Sequence, residues 1–141
     1  MTLVVGYDGS DGARAAYAAA LDLAGRLREG VHVVFSFESP RLGGELHDLD
    51  DAIRERGEAV VGEALTAAEA AGVIVSSDVR MQDPAEGLIA AAGEVGASMI
   101  VVGSHGERPL KSVLVGSTPT RLLHLSSLPV LVVRAEAERP E

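Results

Sequence analysis

Gly103, Gly106, Gly116 and Ser117 are the residues whose types and spacing most suit a chemistry, and that chemistry is anion binding. A short apolar run, Met99 to Val102, stops at Gly103; Gly106 follows, and Gly116-Ser117-Thr118-Pro119 opens the next segment. An apolar run of this length bounded by glycine reads as a buried parallel-type strand. Gly103 and Gly106 then free the backbone for positive φ and for close approach to a ligand. Pro119 suits the first turn of a helix, where its missing N–H removes no intrahelical bond. Strand, glycine loop and helix N-terminus in series aim free N–H groups and a positive dipole end at one point.

Charge is distributed to match. Residues 103–121 carry Arg108, Lys111 and Arg121 against Glu107, a net +2, which leaves −11 on the remainder of a chain whose net charge is −9. A basic stretch at a helix start in an acidic chain suits a small anion rather than a polyanion. The acidic balance and the 3% aromatic content exclude a phosphate-backbone binder and general base stacking, so no nucleic-acid partner is expected. With no cysteine, thiolate metal sites and disulfides are absent. His32, His47 and His124 have no His or carboxylate partners at ligand spacing, so no structural metal is expected. No apolar run approaches the roughly 18 residues of a membrane span. Met1-Thr2-Leu3-Val4-Val5 enters a strand at once without a basic leader, so the expected location is cytoplasmic.

The elements that must position the glycines follow from periodicity. Residues 3–7 read as a first strand and residues 8–12, Asp-Gly-Ser-Asp-Gly, as a turn in which Ser10 or Asp11 caps a helix. Asp8, at that strand's end, has the local reading of an Asx-turn or cap residue. Ala13, Ala16, Ala20, Leu23 and Leu27 give the helix one buried face, with Gly30 as its end and a second strand over 31–37. The Gly- and acid-rich residues 38–50 read as a loop, 49–71 as a long helix stopped by Gly72, and 73–81 as a third strand. Asp83-Pro84-Ala85-Glu86 is a helix start with cap, first-turn proline and capping-box glutamate. A last helix is predicted over 118–126 and a last strand, Val130 to Val133, apolar on both faces. Strand–helix alternation argues for α/β architecture: a single doubly wound domain over residues 1–135, five parallel strands with helices on both faces, and a polar tail, 136–141.

The spacing G-x2-G-x9-G-S resembles the nucleotide-binding signature of the universal stress protein family, in its ATP-binding subclass. The first strand, Leu3-Val4-Val5-Gly6-Tyr7-Asp8-Gly9-Ser10, and the last, Pro129-Val130-Leu131-Val132-Val133-Arg134, are similar to that family's. The resemblance implies the strand order 3-2-1-4-5, which places a ligand at the switch point between the first and fourth strands. It implies that Gly106, Gly116 and Ser117 face phosphates, that Gly103 packs beside a ribose, and that Asp8 accepts from ribose hydroxyls. Ser36, at the end of the second strand, is the nearest match to the backbone contact with adenine. His105 stands in the glycine loop as a phosphate contact or a solvated loop residue. The implied ligand is ATP or a related adenine nucleotide, with Mg or Mn accompanying its phosphates, and the implied assembly is a homodimer through the last strand.

One departure stands out. Relatives continue after the Gly-Ser pair with an apolar residue and then Ser or Thr, where this chain has Thr118-Pro119. Pro119 has neither N–H nor hydroxyl, which removes up to two phosphate contacts. Thr118 or Thr120 offers a replacement hydroxyl. The resemblance thus implies a stress-response regulator or sensor that binds nucleotide. The chain has no G-x4-G-K-[ST] loop and no positioned base, which limits the enzyme alternative to slow ATP hydrolysis or phosphotransfer. The other alternative is a dimeric interaction protein with a weakened nucleotide site.

Overall fold

A computed structural model describes residues 1–38, 46–68, 71–105 and 116–135, with side chains described from residue 49 onward in the second helix. The chain alternates β1 (Thr2–Gly6), α1 (Asp11–Leu27), β2 (Gly30–Ser36), α2 (Leu46–Ala68), β3 (Val75–Arg80), α3 (Pro84–Val95), β4 (Ala97–Gly103), α4 (Ser117–Leu125) and β5 (Val130–Val133). Every neighbouring pair is parallel, and the sheet runs β3-β2-β1-β4-β5. The expected order holds, with β1 and β4 side by side and the chain winding away from them in opposite directions.

Side chains alternate between faces along each strand, so the apolar runs feed two cores. Leu3, Val5, Val33 and Val101 pack with α1 and α2, whereas Val4, Val34, Ile100 and Val102 pack with α3 and α4. Buried Ala13, Ala16, Ala20 and Ala24 form the inner stripe of α1. The Tyr17 hydroxyl donates to the Ala64 carbonyl at 2.5 Å and joins α1 to α2 inside the first core.

Several boundaries differ from the sequence reading. Asp11 and Gly12 belong to α1 rather than to the preceding turn, and Ser10 is the cap, its Oγ accepting from the Ala13 N–H at 3.2 Å. Gly30 does not end α1. Arg28 does so, in the left-handed region at φ 58, and Gly30 is the first residue of β2, where a Cβ would come within 3.1 Å of the Ile74 carbonyl oxygen. α2 starts inside the segment read as a loop and spans Leu46–Ala68, and β3 is shorter than expected. α3 starts as predicted, with Asp83 accepting from the Glu86 N–H at 3.1 Å and Pro84 in the first turn. The polar tail, 136–141, lies outside the described residues.

Candidate functional site

The carboxyl ends of β1, β2 and β4 open onto a cavity of about 670 Å³. Its walls include Asp8 and Ser10 from the β1 turn, Ser36 from β2, Gly103 at the end of β4 and His105 just after it, and Gly116, Ser117 and Thr118 at the start of α4. Residues from four separated stretches thus converge where two glycine turns meet at the switch point of the sheet. Gly106, Arg108 and Lys111 lie outside the described residues.

The β1 turn is built around Asp8. One of its oxygens, Oδ1, accepts from the Ser10 N–H at 2.9 Å, an Asx-turn that leaves Oδ2 to act as an acceptor. Gly9 follows at φ +82, a conformation that side chains resist. Asp8 therefore fits its local reading, and the same turn sets its carboxylate at the cavity wall.

Gly103 has a packing role, and positive φ is not part of it. A Cβ there would lie 2.6 Å from the carbonyl of Gly12, and a Cβ on Gly12 would lie 2.4 Å from the carbonyl oxygen of His105. The end of β4 thus runs backbone against backbone over the first turn of α1. The Gly12 contact was missed in the sequence, where a glycine inside a helix's costly first turn is the available signal. The segment after β4 is further tied down by the Ser104 N–H, which donates to the Val133 carbonyl at 2.9 Å, and by the Gly116 N–H, which donates to the Ser104 carbonyl at 2.6 Å. His105 lines the cavity, its Nδ1 lying 3.4 Å from Ser104 Oγ.

The lining also has an apolar part, Val34, Leu88, Val102 and Pro84, suited to a heterocycle. Ser36, also in the lining, has its Oγ donating to the Gln82 carbonyl at 2.8 Å and pressed against Gly87. Its side chain is thereby engaged, and its backbone is what remains for a ligand. Arg121, from the second turn of α4, also lines the cavity but is held by carboxylates. Its Nη1 contacts Asp83 Oδ1 and its Nη2 lies 3.7 Å from Glu86 Oε1. The charge count that set Arg121 among cations available to an anion is corrected by this pairing with α3.

His32 is buried in β2 with Nδ1 2.7 Å from Ser76 Oγ and Nε2 3.7 Å from Asp78 Oδ2, a carboxylate neighbour supplied by β3 that linear spacing did not reveal. Among the described residues, no three His, Asp or Glu side chains stand together as a metal site. No described helix is long and apolar enough to cross a membrane.

With this geometry in place, comparison with known proteins defines the class. The model of the universal stress protein family matches residues 1–134, and the chain belongs to that family. It is 29% identical to the stress response protein NhaX of Bacillus subtilis, over 94% of this chain and 96% of that one. It also aligns over 99% of its length, at 31% identity, with a universal stress protein of Mycobacterium tuberculosis, of which it spans 50%. Among solved structures, a universal stress protein in complex with cAMP superposes with a TM-score of 0.75 at 26% identity, covering 96% of this chain and 98% of the other. The Archaeoglobus fulgidus universal stress protein in complex with dAMP superposes with a TM-score of 0.71 at 25% identity, covering 94% and 97%.

Proposed function

We propose that this chain binds an adenine nucleotide, ATP or a related form, in the switch-point cavity and acts as a stress-response regulator or sensor. The observation that carries the reading is the convergence of Asp8, Gly103, Gly116 and Ser117 on one cavity that also has apolar lining. In this reading Asp8 Oδ2 accepts from the ribose hydroxyls, and the ribose packs beside Gly103. The base lies against Val34, Leu88 and Pro84 with Ser36 supplying backbone contacts, while Ser117 and Thr118 hold phosphate at the positive end of α4. His105 and Gly106 border the phosphates. The related structures in complex with cAMP and with dAMP support an adenine ligand. Mg or Mn accompanies the nucleotide, held by its own phosphates.

The assembly we propose is a homodimer through β5. The two edges of the sheet differ: β3 carries Ser76, Asp78 and Arg80, with Arg54 Nη1 reaching the Val79 carbonyl at 3.5 Å, whereas β5 is Val-Leu-Val-Val throughout. A charged edge resists strand addition and an apolar one invites it. A cytoplasmic site of action fits a protein that samples adenine nucleotides.

Calorimetric titration of nucleotide-stripped protein with adenine nucleotides tests the binding reading, with a Gly116→Val/Ser117→Ala double variant as control. The expected result is micromolar binding that the control loses. Absence of heat and of thermal stabilisation with every adenine nucleotide at millimolar concentration overturns it.

A further inference from the structure

We infer that Pro119 makes this cavity select a nucleotide carrying one phosphate group over a di- or triphosphate, an inference that rests on the nucleotide reading above. The argument is a count of donors and charges at the phosphate end.

A helix start leaves four backbone N–H groups without intrahelical partners. In α4 they belong to Gly116, the cap, and to Ser117, Thr118 and Pro119. The Gly116 N–H is consumed by the Ser104 carbonyl at 2.6 Å, and proline has none. Those of Ser117 and Thr118 remain. Two side-chain hydroxyls, those of Ser117 and Thr118, stand beside them on the same turn. The replacement hydroxyl that Thr120 offers in the sequence is not delivered: its Oγ1 donates back to the Gly116 carbonyl at 2.8 Å. Pro119 itself is buried, so its ring fills the place beside the first turn where a polar side chain would stand.

Charge gives the same answer. Arg121 is the one Lys or Arg among the described lining residues, and Asp83 and Glu86 already hold it. Asp8, also in the wall, is itself an anion. What the start of α4 offers is the helix dipole, equivalent to roughly half a positive charge, together with two N–H groups and two hydroxyls. That set matches the oxygens of one phosphate. A second or third phosphate adds negative charge without adding donors from α4.

The test is calorimetry on the full chain with AMP, cAMP, ADP and Mg·ATP as probes, for wild type, Pro119→Ala and Pro119→Ser, with melting curves confirming that each variant folds. Alanine restores the missing N–H, and serine restores N–H and hydroxyl. Wild type is expected to bind AMP or cAMP at least as tightly as ATP. Both variants are expected to raise the ATP-to-AMP affinity ratio about tenfold or more, the value of one hydrogen bond to a charged group. Wild-type preference for ATP by tenfold, or variants that leave the ratio unchanged, overturns the inference while the nucleotide reading stands. Failure of all four nucleotides in all three proteins overturns the nucleotide reading and the inference with it.

Discussion

Gly12 and Gly103 meet backbone to backbone, close enough that a Cβ on Gly103 would sit 2.6 Å from both the carbonyl carbon and the oxygen of Gly12. The contact joins the first turn of α1 to the end of β4, and the cavity opens beside it. Because both contacting groups are main chain, neither can rotate aside. Gly103→Ala and Gly12→Ala are each expected to cost about 1–3 kcal/mol of stability, the range for overpacking a tight site. Gly93→Ala serves as the contrast, since a Cβ on this α3 glycine meets nothing within 4 Å. It is expected to stabilise the protein by about 0.5–1 kcal/mol through helix propensity alone. Urea denaturation of the three variants measures both signs.

Arg121, which lines the same cavity, joins α4 to Asp83 at the start of α3. Asparagine caps helices as well as aspartate does, so Asp83→Asn keeps its bond from the Glu86 N–H while removing the charge that engages Arg121. The pair is partly exposed, and its loss is expected to cost no more than about 1 kcal/mol. The guanidinium, then left with Glu86 alone at 3.7 Å, is expected to tighten binding of multiply charged nucleotides severalfold, with a steeper salt dependence. Titration of wild type and variant with Mg·ATP at two salt concentrations reads this out; unchanged affinity at low salt would show that Arg121 does not reach the ligand.

The alternation of elements was legible because each is written in a local period: Leu3 to Tyr7 and Met99 to Val102 as apolar runs, Asp83-Pro84-Ala85-Glu86 as a helix start. Strand order is a non-local property, and it came from the resemblance rather than from any period. At the cavity, Gly116-Ser117 could be read because a helix start has its own chemistry. The engagement of Arg121 by Asp83 could not, since it depends on how α3 and α4 pack. Gly12 was hidden in a run of turn-forming residues, and its role appears only when β4 is laid across it. The end of α1 was misread for the opposite reason: Gly30 looked like the natural stop, yet it is reserved for the strand that must pass the Ile74 carbonyl.

Tyr17 makes the fold sensitive to alkaline pH. Burial, and secondarily the nearby Tyr7, raises its hydroxyl pKa above the ordinary 10.0. The folded state therefore holds a proton that the unfolded chain releases more readily. That contribution to stability is complete below pH 10 and is lost as the pH climbs through the folded-state value. Tyr17→Phe removes the bond to the Ala64 carbonyl and is expected to cost about 1 kcal/mol at neutral pH. It is also expected to flatten the decline above pH 10. Urea midpoints from pH 7 to 11 for both proteins measure the two effects, and equal slopes would remove Tyr17 from the account.

Val132 offers a way to test the proposed dimer without disturbing the fold. The Ile100 N–H donates to the Pro129 carbonyl at 3.0 Å and the Ser104 N–H to the Val133 carbonyl at 2.9 Å, so the odd-numbered residues of β5 turn their backbone groups toward β4. By the alternation of a strand, Val132 turns its N–H and carbonyl to the free edge. Proline is tolerated in edge strands at such outward positions. Val132→Pro is thus expected to leave the β4–β5 ladder intact while deleting a donor that a second copy needs for strand pairing. Sedimentation at micromolar concentration is expected to give a dimer for wild type and a monomer for the variant, with nucleotide affinity retained. A monomeric wild type would reject pairing through β5. A dimeric, folded variant would place the interface on other surfaces, among which exposed Leu123 and Leu125 on α4 are the largest apolar groups nearby in sequence.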